Sequence, residues 1–206
     1  MYNMNEKIAI LEKNLVKRGF EFSYFENCED AVQHIVELIP AQSSIGFGGS
    51  MTVHESGLLD ALKQKDYTLW HRDLHPELLR DEIYPKMHNA DWYICSTNAL
   101  CMTGDLVNID GRANRVAAML DGPKNVIVIC GVNKIVEDIS EGIDRTRNVA
   151  SPPNCVRLNK KTPCAVTGKC SHCNSPDTIC KATVIQHHPT TNSTVKIILI
   201  NKNLGY

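Results

Sequence analysis

Short apolar segments alternate with helix-like segments between residues 43 and 143. Ser44–Phe47 and Trp92–Ser96 have the composition of short strands, and Asn125–Cys130 is an almost unbroken apolar run. Such a run is typical of a strand that is buried on both faces of a sheet. Parallel strands need a crossover connection, which is usually a helix. The alternation therefore predicts an α/β fold in which helices flank a mostly parallel sheet.

The two ends of the chain extend this pattern. The helical spacing of the apolar residues before Gly19 predicts an N-terminal helix, and a strand follows at Glu21–Phe25. A second helix is expected to end at Pro40, since proline cannot continue a helix. Near the other end, Thr183–Ile185 and Val195–Ile200 are predicted to pair with each other as closing strands.

Two interruptions of the pattern lead to local predictions. Asp105–Ile109 and Arg115–Leu120 flank a five-residue loop that contains Gly111, and this arrangement predicts a β-hairpin. Further along, Ser151-Pro152-Pro153 is predicted to end the last helix before the composition changes. Residues 155–181, which follow, have almost no apolar periodicity, so this segment needs a cross-link other than a hydrophobic core.

Composition and charge narrow the class of protein. The 206 residues carry 22 Lys+Arg and 23 Asp+Glu, a net charge of -1, and no basic run, which argues against a nucleic-acid partner. The length fits a single domain, residues 1–206, and 43% hydrophobic residues exclude disorder as the main state. No apolar run is long enough to span a membrane. The N-terminus lacks the apolar core of a signal peptide, so a cytoplasmic location is expected.

A glycine-rich turn, GFGGSMT at 46–52, follows one predicted strand and opens a helix. Glycines allow backbone N–H groups to approach a ligand, and a helix N-terminus favours negative charge. The candidate ligand-binding residues are Gly48, Gly49, Ser50 and Thr52. The alternative is a tight turn in which Thr52 only caps the helix as part of a capping box. The turn matches neither a Walker loop nor GxGxxG, so no nucleotide cofactor is assignable.

A second polar group lies around the predicted hairpin. Its candidate ligand-binding residues are Thr103, Gly104, Asn108, Asp110, Asn114 and Arg115. Arg115 could hold a carboxylate or phosphate through paired donors, and Asp110 is a candidate catalytic acid or base. His54, in the first helical turn after the glycines, is the other catalytic candidate. Alternatively, the Asn, Asp and Gly residues serve only the turn.

Nine cysteines are unusual for a chain without a secretory signal, where a disulfide framework is not expected. Four of them, Cys164, Cys170, Cys173 and Cys180, are the candidate metal ligands, and Cys155 is a reserve ligand. Clustered thiolates select an iron–sulfur cluster or zinc. The cluster is preferred because only one CxxC pair is present, and a redox CxxC or unligated thiols are the alternatives. The mid-strand Cys95 and Cys130 are predicted to be core residues.

Four segments together resemble the LUD-domain family of lactate-utilisation proteins, formerly the family of unknown function DUF162. They are GFGGSMT at 46–52, TGDLVNIDGRANRVAAML at 103–120, GPKNVIVICGVNKIVEDI at 122–139 and TPCAVTGKCSHCNSPDTIC at 162–180. The similarity extends roughly over residues 7–205, and the Cys-rich segment resembles the stand-alone members. Asp105 and Ala113 depart from the family pattern, in which a small or hydroxyl residue and a glycine are expected.

The resemblance implies a fold like that of the NagB/RpiA/CoA-transferase superfamily. By analogy, the glycine turn and the segments Thr103–Asn108 and Asp110–Arg115 would line one pocket. No counterpart of the catalytic Ser-Glu-x-Gly segment of CoA transferases is present.

Three functional hypotheses follow. In the first, the protein is an enzyme or electron-transfer accessory in the oxidation of lactate or a similar acid, with a small anionic metabolite and a redox partner protein. In the second, it is a zinc-stapled, non-enzymatic module that binds a metabolite for regulation. The third, CoA or acyl transfer, rests on fold analogy alone. A homo-oligomer is compatible with each of them.

Overall fold

A six-stranded sheet in which every neighbouring pair is parallel forms the centre of the computed structural model, which describes residues 3–206. In spatial order, its strands are β1 (Glu21–Phe25), β10 (Thr194–Ile200), β7 (Asn125–Gly131), β4 (Trp92–Cys95), β2 (Ser44–Phe47) and β3 (Thr68–Trp70).

A smaller, mixed sheet packs beside it. Its strands, in spatial order, are β8 (Ile135–Val136), β5 (Ala99–Cys101), β6 (Leu106–Asp110) and β9 (Ala182–Gln186). Strand β6 is antiparallel to both of its neighbours, whereas β5 and β8 are parallel.

Helices connect the strands and cover both faces of the central sheet. They are α1 (Met4–Lys17), α2 (Cys28–Leu38), α3 (Met51–Glu55), α4 (Leu58–Lys63), α5 (Arg80–His88), α6 (Asn114–Asp121), α7 (Ile139–Arg145), α8 (Ser151–Arg157) and α9 (Pro163–Thr167). Residues Val132–Lys134 form a short 3-10 helix, and Thr146–Ala150 form a π-helical turn. Within residues 3–206, no helix combines the length and apolar character needed to cross a membrane.

The core lies on both faces of the central sheet, because successive side chains of a strand point to opposite faces. On β7, Val128 and Cys130 face a cluster formed with α1, α5, α6 and the smaller sheet. Ile127 and Ile129 face the opposite cluster, which includes α2, α3 and α4. These residues are fully buried, as the apolar run of β7 predicted. The α/β class with a mostly parallel sheet is thereby confirmed.

The core assignment of two cysteines is also confirmed. Cys95 on β4 and Cys130 on β7 are both 0% exposed. Burial raises the pKa of each thiol to about 12, because a thiolate would lose its hydration. Both therefore act as small apolar residues rather than as nucleophiles.

The predicted hairpin between Asp105–Ile109 and Arg115–Leu120 is wrong, because the second segment belongs to helix α6. The carboxylate of Asp110 accepts hydrogen bonds from the backbone N–H groups of the two residues before α6 and turns the chain into the helix. Val116 and Met119 then point into the core with helical spacing. The antiparallel pair at this place is instead β5 with β6.

The prediction that the last two strands pair with each other is also wrong. Strand β9 pairs with β6 in the smaller sheet, while β10 lies between β1 and β7 in the central sheet. Residues of β10 alternate between the two core clusters, for example Ile197 in one and Ile198 in the other. A strand that is buried on both faces needs a neighbouring strand on each side. Strand β10 has such neighbours in β1 and β7, and pairing with β9 would not provide them.

The proline pair Pro152-Pro153 does not end the helical path as predicted. Both prolines lie in the first turn of α8, where their fixed backbone φ is compatible with the helix. The π-helical turn Thr146–Ala150 joins α7 directly to α8. The Cys-rich segment thus begins in a helix that packs against the π-helical turn and α9.

Candidate functional site

The glycine turn lies at the carboxyl end of β2. The backbone N–H of Gly48 donates to the carbonyl of Ile94 on the neighbouring strand, at 2.9 Å. A Cβ atom on Gly48 would lie 2.9 Å from the Tyr93 hydroxyl oxygen and 3.0 Å from Cγ of Arg115. The absence of a side chain at Gly48 therefore lets Arg115 pack against the turn, while Gly49 has open space around it.

Ser50, rather than Thr52, caps the helix that follows the turn. Its hydroxyl oxygen accepts a hydrogen bond from the backbone N–H of Val53, at 3.3 Å. Thr52 is 1% exposed. Its hydroxyl donates to the carbonyl of Leu204 and accepts a hydrogen bond from the hydroxyl of Ser96. The predicted capping box around Thr52 is therefore wrong, because its hydroxyl points into the molecule.

Arg115, at the start of α6, uses its N–H groups within the protein. They donate to the carbonyl oxygens of Ser96 and Ile109 and to the side-chain oxygens of Asn98 and Asn108. Its Nε also lies 3.3 Å from the carboxylate of Asp110. These contacts saturate the guanidinium. The N–H donors of Arg115, which the sequence analysis assigned to a ligand, thus bind protein oxygens. Through these hydrogen bonds Arg115 connects β4 to β6.

The other predicted ligand-binding residues close to Arg115 in the sequence do not share one pocket. Asp110 has a side chain that is 10% exposed and is held by Arg115 and the start of α6. Asn108 is fully buried, and its Nδ2 group has no hydrogen-bond partner among residues 3–206. Asn114 lines a separate cavity of about 260 Å³ between α5 and α6, together with Tyr84. Asn108 and Asp110 thus lie beside the glycine turn, and Asn114 borders another cavity.

Thr103 and Gly104 lie away from this place. They form the turn between β5 and β6, at the opposite end of β6 from Asp110. The Thr103 hydroxyl donates to Asp105, whose buried carboxylate also pairs with Arg18 and His187. The structure therefore does not bring Thr103 and Gly104 together with the glycine turn. Asp105, which departs from the family pattern, thus supplies the negative charge of a local ion cluster.

A buried lysine that sequence reasoning missed lies at the carboxyl edge of the central sheet. Lys134 is 4% exposed, and its Nζ donates to the Ser96 hydroxyl at 3.0 Å and to the carbonyl of Thr97 at 3.1 Å. Burial lowers its pKa to about 8. In the sequence, Lys134 comes shortly after a predicted apolar strand, in a segment that resembled the start of a helix. It was therefore not singled out as a site residue.

A buried arginine accompanies it. Arg145 is 8% exposed and donates to the carbonyl of Asn98, the residue after Thr97, and to that of Asn133. Among residues 3–206, neither Lys134 nor Arg145 has a carboxylate within 4.0 Å. Buried charges are usually paired, so two unpaired cations at one edge of the sheet distinguish this place.

Leu204 and Gly205 contact residues at this edge. Asn133 accepts a hydrogen bond from the backbone N–H of Leu204 and donates to the carbonyl of Gly205. The backbone N–H of Gly205 donates to the carboxylate of Glu55 on α3. Leu204 and Gly205 therefore lie against Thr52, Glu55 and Asn133.

His54, the first histidine to consider from the sequence, has partners that the sequence did not reveal. It lies on α3, and its Nε2 is 4.0 Å from a carboxylate oxygen of Asp73. The ring of His71 packs edge-on against that of His54, with ring centres 5.2 Å apart. Burial lowers the pKa of His71, because the imidazolium form would be poorly hydrated.

The five clustered cysteines line one cavity of about 260 Å³. Cys155 and Cys164 are buried, with their Sγ atoms 3.7 Å apart, and the other three thiols are half-buried. Burial raises the pKa of Cys155 to about 11. Other polar groups on the wall are Arg147, Ser151, Thr162, Ser171, His172, Asn174 and Thr178.

Side chains of the helical region hold the Cys-rich segment around this cavity. The backbone N–H of Cys170 donates to Asn148, and the thiol of Cys180 lies 3.5 Å from the Ser151 hydroxyl. Arg147 is hydrogen-bonded to Nδ1 of His172 at 3.3 Å. All four predicted metal ligands and the reserve ligand are thus brought together by the fold.

The architecture is that of an α/β protein with a polar carboxyl edge and a separate thiol-lined cavity. The model of the LUD domain family matches residues 8–200, and the chain belongs to this family. Membership supports a lactate-utilisation type of protein in general terms. No curated protein sequence matches the chain.

A solved structure supports the fold. It is described as a DUF162 family protein from Deinococcus radiodurans, with a TM-score of 0.57 at 14% sequence identity. The similarity covers 97% of this chain and 99% of that chain.

Replacing Arg115 tests its structural role. We expect Arg115→Ala to lower the free energy of unfolding by about 3 kcal/mol or more, because it leaves Asp110 and several buried oxygens without their donor. The exposed Arg80→Ala is the matched control and should change stability by less than about 0.5 kcal/mol. Urea denaturation measures both. Equal stability of the two variants would show that the guanidinium is not needed for folding.

Lys134 makes a pH-dependent contribution to stability. Its pKa is about 8 in the folded protein and 10.5 in the reference state, so between these values the folded protein binds fewer protons. Stability must therefore rise with pH in this interval, by about 3 kcal/mol at most. We expect wild type to gain this stability relative to Lys134→Met between pH 8 and 10.5, with no relative gain below pH 7. Exposed Lys65→Met is the control, and parallel pH profiles of wild type and Lys134→Met would contradict the prediction.

Proposed function

We propose that this LUD protein serves the oxidation of a lactate-like organic acid, by binding the anion at the sheet edge and holding an iron–sulfur cluster in the thiol-lined cavity. The observation that carries the proposal is the convergence of five thiols on one cavity in a segment with little core of its own. In this proposal the protein is cytoplasmic, where thiols stay reduced, and passes electrons to a redox partner protein.

The spacing of the thiols favours a cluster over a single zinc ion. A tetrahedral zinc ion with Zn–S bonds of about 2.3 Å needs sulfur atoms roughly 3.8 Å apart. The pair Cys155 and Cys164 meets this distance. Among residues 3–206, however, no three of the thiols have sulfur atoms that all lie within 4.8 Å of one another. A cluster of several iron and sulfide atoms fits such a wider arrangement better.

The residues around the cavity suit this group. Cys164, Cys170, Cys173 and Cys180 would hold the cluster, with Cys155 as the reserve ligand. When bound, an iron–sulfur cluster supplies one-electron redox chemistry. The Arg147 side chain on the wall would offset the negative charge of the thiolates, and the Ser151 hydroxyl beside Cys180 would hydrogen-bond to sulfur.

The carboxyl edge of the central sheet supports binding of a small anion. Lys134 and Arg145 bring two buried positive charges to adjacent carbonyl groups, those of Thr97 and Asn98. Both donate to neutral oxygens, so a carboxylate would supply the missing negative charge. The open space around Gly49 leaves room beside the turn. Ligands of open α/β sheets bind at this edge of the strands.

Metal and sulfide analysis of anaerobically purified protein tests the cluster. We expect iron and acid-labile sulfide in comparable amounts and a brown colour. Cys170→Ser and Cys173→Ser should lose most of the iron, while Cys28→Ala, a buried thiol outside the cavity, keeps it. Cys155→Ser should also keep iron if Cys155 is only a reserve ligand. Stoichiometric zinc without iron would contradict the cluster and favour the zinc-stapled alternative.

Calorimetric titration with lactate tests the anion site. We expect lactate to bind at pH 7 and uncharged lactamide not to bind, because recognition depends on the carboxylate. Lys134→Met should weaken lactate binding at least tenfold, whereas Lys65→Met should not. Binding should also weaken above pH 8 as Lys134 loses its proton. Equal binding of lactate and lactamide, or unchanged binding by Lys134→Met, would count against this site.

A further inference from the structure

Three potential metal ligands from two different segments meet beside the glycine turn. They are His54 on α3 and the pair His71 and Asp73, which follow β3. One ligand atom from each residue can be chosen so that all three lie within 4.8 Å of one another. None of the three lines the cysteine cavity, so the group is separate from the proposed cluster.

The exposures of the three side chains suit ion capture. His71 is 5% exposed, with the ring of Phe47 packed edge-on against it at 5.5 Å between ring centres. The side chains of His54 and Asp73 are 37% and 67% exposed. One ligand is thus held in place by the core, and the two others are free to rotate toward an ion.

The separations are close to those of a mononuclear site. Zinc binds imidazole nitrogen and carboxylate oxygen at about 2.0–2.2 Å, so ligand atoms around a tetrahedral ion lie roughly 3.3–3.5 Å apart. Nε2 of His54 and the nearer oxygen of Asp73 are 4.0 Å apart. Rotation of these exposed side chains can close the difference without moving the backbone of the sheet.

One nitrogen of the buried histidine lacks a partner. Nδ1 of His71 accepts a hydrogen bond from the backbone N–H of Asp73, at 3.2 Å. In the part of the chain that the structure describes, Nε2 makes no hydrogen bond to a protein group. Nε2 is therefore the ring nitrogen that the protein leaves available to an ion.

We propose that His54, His71 and Asp73 bind one divalent transition-metal ion, with zinc as the reference ion. Two imidazoles and one carboxylate suit zinc and its neighbours, and three protein ligands leave at least one position open. Binding at Nε2 of His71 moves the ring proton to Nδ1, so the hydrogen bond from the backbone of Asp73 is given up in exchange. The ring tautomer therefore reports on the ion.

The position in the fold defines the class of ligand for the open position. His71 follows Trp70, which pairs with Gly46 on β2, and His54 lies one helical turn beyond Ser50. The ion would thus lie next to the glycine turn at the carboxyl edge of the sheet. Water or a carboxylate oxygen of a small acid is the ligand that this surrounding would offer to the metal.

Titration of the metal-free protein with Co²⁺ and Zn²⁺ tests the site. Wild type should bind one more equivalent of Co²⁺ than either His54→Ala or Asp73→Asn. Both variants change exposed side chains and keep the cysteine cavity intact. His75→Ala, a neighbouring histidine outside the group, is the control and should match wild type. In nitrogen-15 spectra of the imidazole rings, Zn²⁺ should convert His71 to the Nδ1–H tautomer.

The outcomes separate this site from the cysteine cavity. Loss of one Co²⁺ equivalent in both ligand variants, together with the tautomer change in wild type, supports the proposal. Identical Co²⁺ stoichiometry in the four proteins overturns it, and so does a His71 ring whose tautomer is unchanged at saturating Zn²⁺. Because the cysteines are the same in all four proteins, failure of the proposed cluster would leave this comparison intact.

Discussion

The carboxyl edge of the central sheet depends on the guanidinium of Arg115. It donates to the Ser96 carbonyl just after β4 and to the Ile109 carbonyl on β6, and so joins the two sheets. Its close packing explains why the turn has a glycine at position 48, where a Cβ would collide with the arginine stem. A buried guanidinium must keep its acceptors, because an uncompensated buried charge is costly. The chain around it therefore has little freedom to change.

Each proposal of function rests on groups to which folding gives no opposite charge or no packed surroundings. Arg115 is satisfied by protein atoms, whereas the buried Lys134 and Arg145 face only neutral oxygens. The thiols of the Cys-rich segment surround a cavity instead of a packed core. Anion, cluster and metal proposals thus share one physical basis, since each supplies charge or coordination that the polypeptide itself does not provide.

Local pattern was sufficient for much of the fold but not for its connections. The apolar run of β7 predicted its burial on both faces, and the glycine turn was found at the end of β2. Arg115–Leu120 was taken for a strand because a glycine-containing loop precedes it, although its buried residues have helical spacing. The two final strands were paired because they are adjacent in sequence. Strand partners are set by which faces must be buried, and a short segment read by itself does not reveal this.

By itself, the sequence determined the α/β class, the glycine turn and the concentration of five thiols in one segment, since each follows from residue type and spacing along the chain. Which polar residues meet depends on tertiary packing. It engaged Arg115 within the protein, carried Thr103 to the far end of β6 and brought His54 to His71. The reason is that periodicity records the face of an element, whereas contacts between distant residues depend on how all the elements pack.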